Sequence, residues 1–338
     1  MEASIVQVVG PTDQWILERM ARRLVRKLPY ATFVDWKPRQ IAPTKLVYYM
    51  NYALYQGPSS FVDVGFFTHR DDNQHFLERA RDLDFSVCMS KIYADWLQAQ
   101  SIKTVVHIPT GFDSYRYRPQ LVLGIVGLLE HPRKGKHLVD RVRMLPFADV
   151  RVTDGLISDA QLRDFYQAVD YLLIPATVEG GPLSLLEGLG MGKSIIAPEG
   201  VGMVPEFPES TAIRRYPTGD GDALVRLLTE CYHEKCRGYD LVRNRTWDHW
   251  AESHHHLFRR LLKERGIAFP EPEFGFRFKM MAELEIPPRV DVTLLEETID
   301  LAAAHLYFGR YTPARSLLAE VIPQFPFARK LLETFPTV

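Results

Sequence analysis

The chain has 338 residues, 46% of them hydrophobic and 25% charged, with a formal net charge of −1. That is the balance of an ordinary globular protein long enough for two domains, and near-neutrality supplies no global field for a polyanion. The longest apolar runs, such as Tyr171 to Ala176, are strand-length and far short of the ~20 residues needed to cross a bilayer. Cys88, Cys231 and Cys236 show no metal-ligand spacing, and no signal-peptide pattern opens the sequence, so reduced thiols and a cytoplasmic location are expected.

Taken in chain order, short β-branched runs alternate with amphipathic stretches. Strands are predicted over Ile5–Val9, Ala31–Val34, Leu46–Met50, Phe61–Phe67, Phe85–Met89 and Thr104–Ile108, and helices over Gln14–Leu28, Asn73–Leu83 and Lys91–Gln100. The segment Pro109-Thr110-Gly111-Phe112-Asp113, with Tyr115, Tyr117 and Pro119, breaks the rhythm and reads as a linker. A second set follows, with strands over Leu121–Val126, Asp149–Val152, Tyr171–Ile174 and Ser194–Ala197. Its helices fall over Lys136–Met144, Asp159–Ala168 (capped by Ser158) and Leu183–Met191, and a long helix over Thr246–Lys263 closes the set. The fold class expected is α/β: two Rossmann-like domains, 1–117 and 118–266, facing a cleft, with ligands at the carboxyl ends of the strands.

Pro270, Pro272, Pro287 and Pro288 then punctuate a stretch of low order. Two further helical patterns, Thr293–Phe308 and Thr312–Val321, resemble a tetratricopeptide-like pair joined at Gly309, a C-terminal extension over 267–338. One such pair cannot bury its own apolar face, so docking on the body, on a protein partner or on a second copy through 291–338 is expected.

The segment Glu179-Gly180-Gly181-Pro182-Leu183-Ser184-Leu185-Leu186-Glu187 follows a buried strand and opens a helix. The glycines permit a tight turn and close approach of a ligand, and Pro182 suits the first helical position. The free amides of Leu183 and Ser184 would then stand at the positive end of a helix dipole, a ready anion site. Glu187, about a turn further in, can accept both hydrogen bonds of a ribose diol, and Glu179 can reach a sugar hydroxyl. A plain helix start with surface carboxylates is the alternative.

Three other places invite a chemical reading. His69 follows the run Phe66-Phe67-Thr68 at a strand end, where it can hydrogen-bond a hexose hydroxyl or simply cap the strand. The predicted first helix carries Arg19, Arg22, Arg23, Arg26 and Lys27 on one side, a face suited to anionic membrane, to nucleic-acid phosphates, or to water alone. His254-His255-His256 are consecutive on a helix, point in different directions and cannot converge on one metal ion.

Glu179 and Glu187, eight positions apart, resemble the paired-glutamate motif of family 4 glycosyltransferases. The flanking runs Tyr166 to Pro175, Gly192 to Ala197 and Gly202 to Phe207 are similar to that family's C-terminal core, and Ile108 to Asp113 to its interdomain segment. Trp247 and the helix after it resemble the helix that crosses back to the N-terminal domain. Gly124-Ile125-Val126-Gly127-Leu128 with Arg133-Lys134-Gly135 resembles its phosphate-binding pair. Three positions depart: Leu128 stands where the family has Arg, Thr110 where it usually has Asn, and the glycine-rich first loop shrinks to Gly10-Pro11-Thr12-Asp13.

The resemblance implies the GT-B fold and retaining transfer of a hexosyl group from a uridine- or guanosine-diphosphate sugar to a hydroxyl, with neither metal nor cofactor. It implies His69, Glu179 and Lys134 as catalytic residues. Gly10, Arg133, Lys134, Gly180, Gly181, Leu183, Ser184 and Glu187 become donor-binding residues, with Arg133 standing in for the missing arginine. The shortened first domain suits a large acceptor: polysaccharide, lipid-linked saccharide or modified nucleic acid. A sugar-nucleotide epimerase or phosphorylase on the same scaffold, and a non-catalytic sugar-nucleotide sensor or assembly protein, are the competing readings.

Overall fold

The structure is a computed structural model that describes residues 5–12, 15–37, 43–71, 74–155, 157–269, 284, 290–307 and 310–333. The apolar runs of the first third become β1 (Val6–Gly10), β2 (Ala31–Asp35), β3 (Leu46–Tyr49), β4 (Val62–Phe67), β5 (Phe85–Cys88) and β6 (Val105–His107). They form one sheet in the order β2-β1-β3-β4-β5-β6 with every ladder parallel. β1, β3, β4 and β5 are buried along their whole length, as strands covered on both faces must be. Asp63 is tolerated in β4 because its carboxylate accepts the Ser59 N–H at 2.8 Å and the Ser59 and Ser60 hydroxyls at 2.7 and 3.1 Å.

A second sheet is built from β7 (Leu121–Ile125), β8 (Ala148–Val152), β9 (Tyr171–Leu173), β10 (Ser194–Pro198) and β11 (Ile213–Tyr216), again all parallel, in the order β11-β10-β9-β7-β8. Both sheets share one winding: the second strand of each lies on one side of the first, and the third lies on the other. The α/β class with two Rossmann-like sheets is therefore what the chain adopts.

The helices between strands are α1 (Ile16–Lys27), α2 (Gln74–Asp82), α3 (Lys91–Ala99), α4 (Lys136–Arg143), α5 (Asp159–Gln167) and α6 (Leu183–Gly190), and α7 (Gly221–Asp240) follows the last strand. The residues before α1 (Asp13, Gln14) and before α2 (Asp72, Asn73) lie outside those described. Two elements go beyond the sequence expectation. β11 is an edge strand whose centre is Arg214-Arg215, so no apolar run announces it. α7 starts at Asp220, whose carboxylate accepts the Asp222 and Ala223 amides, and buries Leu224, Leu228, Cys231 and Cys236 at helical spacing.

The chain divides into two compact units. One runs to Arg116 and resumes at Arg243, and the other is built mainly from Tyr117–Val242. The helix α8 (Trp247–Glu264), expected to close the second set, belongs to the first of these units. The reason is packing: Trp250, His254 and Phe258 on one face of α8 are buried with Tyr48 and Phe66 of the first sheet. Gly111 in the linker runs so close to α8 that a Cβ there would lie 2.5 Å from the Thr246 carbonyl oxygen, so only glycine fits.

The C-terminal pair, α9 (Thr293–Tyr307) and α10 (Tyr311–Val321), also belongs to the first unit. Tyr307 packs on its core with its ring 5.9 Å from that of Tyr30, and Glu297 pairs with Arg26 of α1 at 3.2 Å. The pair therefore docks on the body of the chain. Phe308, Gly309 and the four prolines from 270 to 288 lie outside the described residues. Among the described residues no helix is long and apolar enough to cross a membrane.

Candidate functional site

In the second unit the winding reverses between β7 and β9, so the chain leaves their carboxyl ends in opposite directions and opens a crevice there. That crevice is a concavity open to solvent, lined by Gly127 and Leu128 after β7, by Pro175 and Glu179 after β9, and by Lys134 and Ser184.

Its basic wall is a single 3-10 turn, Pro132–Lys134, whose entry is capped by His131 Nδ1 accepting the Arg133 amide at 3.3 Å. The turn is stitched to the end of β9: the Thr177 N–H donates to the Arg133 carbonyl at 2.9 Å. Gly135 has φ +70°, and a Cβ there would fall 1.9 Å from the Pro175 carbonyl oxygen. Gly135 therefore sets where Lys134 stands, a role that a basic tripeptide in a sequence does not advertise.

Opposite this wall, α6 begins without a side-chain cap. Pro182 stands one position earlier than expected, as the N-cap residue with φ −68° and ψ 109°, because its extended ψ turns the chain into the helix. The Leu185 amide already donates to the Pro182 carbonyl at 2.9 Å, so the amides of Leu183 and Ser184 precede the helical ladder. Gly180 has open space where a Cβ would be. Gly181 faces the flexible end of Met203, and Gly202, at φ +57°, would bring a Cβ within 3.0 Å of the Gly180 carbonyl oxygen. The Gly202-Met203 turn thus supports the glycine turn.

The structure brings together Arg133, Lys134, Glu179 and Ser184. The Glu179 carboxylate accepts from Lys134 Nζ and, at 3.0 Å, from the Arg133 guanidinium. The Lys134 hydrogen bond, with the two positive charges and the Gly180 amide, holds the Glu179 carboxyl below its ordinary range against the opposing effect of burial. The cluster carries two cations and one carboxylate, a net positive charge at an uncapped helix start. Leu128, where an arginine was expected, is exposed and packs beside Gly155. Arg133 reaches Glu179 instead.

Glu187 lies one turn into α6, exposed, with one oxygen accepting a hydrogen bond from the Tyr166 hydroxyl. Tyr166 opens the run to Pro175 and carries no site signal of its own in the sequence. Its ring is buried at 3% exposure in the core that also holds Leu185.

The remaining candidates belong to the first unit. His69 is exposed after β4, with Nδ1 2.8 Å from the Thr68 hydroxyl. Gly10 is buried at the end of β1, and a Cβ there would meet Phe33 at 3.1 Å, Ala21 at 3.4 Å and Met50 at 3.7 Å. Four of the five cations of α1 are paired within the chain: Arg22 with Glu18, Arg23 with Asp113, Arg26 with Glu297 and Lys27 with Asp248. The face read as a membrane or nucleic-acid surface is largely neutralised by those carboxylates. Among the three consecutive histidines, His254 is fully buried between the Tyr48 hydroxyl and the Trp250 carbonyl, both at 2.8 Å, and His255 lies 3.0 Å from the Tyr30 hydroxyl. No group of three or more His, Cys, Asp or Glu suited to a metal ion occurs among the described residues.

No family model matches this sequence, and no curated protein matches it. Among solved structures the chain is similar to sucrose-phosphate synthase from Thermosynechococcus elongatus, at 14% identity over 77% of this chain and 99% of that one, with a TM-score of 0.35. It is similar to HepE of Anabaena in complex with UDP and glucose, at 12% identity over 75% of this chain and 99% of that one, TM-score 0.31. A third likeness is to the apo form of the lipopolysaccharide outer core galactosyltransferase WaaB, at 11% identity over 75% and 99% of the two chains, TM-score 0.31.

Proposed function

We propose that the chain is a retaining glycosyltransferase that moves a hexosyl group from a uridine- or guanosine-diphosphate sugar to a hydroxyl of a large acceptor. The observation that carries this reading is the uncapped start of α6 set beside Lys134 and Arg133 at the winding reversal of the second sheet. A diphosphate there would accept from the Leu183 and Ser184 amides and meet the positive charge of the basic turn. Gly180 and Gly181 let the ligand reach the backbone, Glu187 holds the ribose and Glu179 a hydroxyl of the transferred sugar.

In the reaction the bond from the anomeric carbon to the leaving phosphate oxygen breaks, and the diphosphate keeps the electron pair. The acceptor oxygen bonds to the same face of the sugar, and its proton passes to the departing phosphate oxygen. Charge grows on the leaving group as this happens, and Lys134, Arg133 and the two helix amides stabilise it, so the mechanism needs no metal.

The test is turnover. The protein is incubated with UDP- and GDP-hexoses and with polysaccharide or lipid-linked saccharide, and released nucleoside diphosphate and acceptor mass are measured. Release with a matching mass gain supports the reading. Tight nucleotide binding with no release from any donor would replace it with a non-catalytic sugar-nucleotide-binding protein.

A further inference from the structure

We propose that Tyr166 is a positioning residue that fixes Glu187 as a two-hydroxyl acceptor and thereby makes the site select a ribose over a deoxygenated pentose. This rests on the function proposed above and adds a specificity determinant to it.

An exposed glutamate on a helix ordinarily samples several rotamers and loses that freedom when it grips a ligand. Glu187 is held beforehand. The Tyr166 ring is wedged in the core with Val169, Leu185 and Ile195, so its hydroxyl is delivered to one place, and there it donates to Glu187 Oε2. The two residues come from neighbouring helices, α5 and α6, and α6 is the helix whose start carries the anion site.

The donor's chemistry matters as much as its position. A phenol carries a single proton and no charge, so it occupies one lone pair of Oε2. Oε1 and the second lone pair of Oε2 stay available, the acceptor pattern that a vicinal diol requires. Glu179 shows the contrast: its carboxylate is neutralised by Lys134 and Arg133. A cation at the Tyr166 position would spend the charge of Glu187 in the same way, whereas a phenol leaves it for the ligand's hydroxyls. Burial, together with the Glu187 carboxylate, pushes the Tyr166 phenol well above its ordinary range, so it stays a donor throughout the working pH.

Tyr166→Phe keeps the buried ring and removes only the hydroxyl. Affinities for UDP and 2′,3′-dideoxy-UDP, with GDP and dideoxy-GDP in parallel, are measured by calorimetry on the wild-type chain, on Tyr166→Phe and on Glu187→Ala. The wild type should prefer the ribonucleotide, Glu187→Ala should bind both forms alike, and Tyr166→Phe should lose roughly tenfold of the preference. Dideoxynucleotide affinity in Tyr166→Phe should match the wild type, which a merely unstable variant would not achieve. Full ribose preference in Tyr166→Phe overturns the positioning role while leaving the function proposed above intact. If neither ribonucleotide binds the wild type, that function falls, and this role falls with it.

Discussion

The two sheets are wound alike, yet the residues that follow the first strand of each have opposite surroundings. In the first, Gly10 ends β1 and its missing side chain is filled by Phe33, Ala21 and Met50, while the cations of the following helix are mostly paired with carboxylates of the same chain. In the second, β7 and β9 end in a crevice where a helix starts uncapped, Gly180 has open space beside it and a basic turn supplies two cations. Topology is shared between the sheets, and side chains decide what stands beside each first strand's end. The diphosphate site proposed above draws on the second unit's crevice.

The hardest test of that contrast is Lys134→Ala. It removes a cation from the place where leaving-group charge develops, and turnover should fall on the order of 10²–10³-fold, read as kcat with saturating donor. An unchanged kcat would return Lys134 to the status of a solvated lysine.

A pair of alanine substitutions sharpens the comparison. Gly10→Ala should cost about 1–3 kcal/mol in denaturant unfolding, because its Cβ meets Phe33, and should leave nucleotide affinity unaltered. Gly180→Ala has room for the new methyl, so stability should stay within ~0.5 kcal/mol while nucleoside-diphosphate affinity drops about tenfold. The reverse pattern would exchange the roles of the two glycines.

Acid should find the first unit's weakness. Burial holds His254 and His255 down at about 4, so each stays neutral in the folded chain while an unfolded histidine titrates near its ordinary 6.5. Below pH 6.5 the unfolded chain binds more protons, and stability should fall by up to about 1.4 kcal/mol per pH unit for each until pH approaches 4. A flat unfolding midpoint between pH 6.5 and 4.5 would show that neither histidine is held neutral.

Much of the architecture was legible because parallel strands buried on both faces read as unbroken apolar runs, and the linker at Pro109–Asp113 read as a break. β11 was not, because an edge strand with two arginines at its centre carries no such signal. α7 could have been found from Asp220 and the spacing of Leu224, Leu228 and Cys231. The glycine turn and Lys134 were legible as a motif. Gly135 and Tyr166 were not, since their roles depend on a contact with Pro175 and a hydrogen bond to Glu187 that only the folded chain brings about. The pairing of α1's cations was hidden for the same reason: Asp113, Asp248 and Glu297 are distant in sequence.

The most direct measurement is the unfolding temperature of the wild-type chain with UDP, GDP, uridine and guanosine, compared with Lys134→Ala. Binding to the folded state alone raises that temperature, so at least one diphosphate should raise it, its nucleoside should do so far less, and the gain should shrink in the variant. A nucleoside as effective as its diphosphate, or a diphosphate gain untouched by Lys134→Ala, would contradict a diphosphate held between the basic turn and the start of α6.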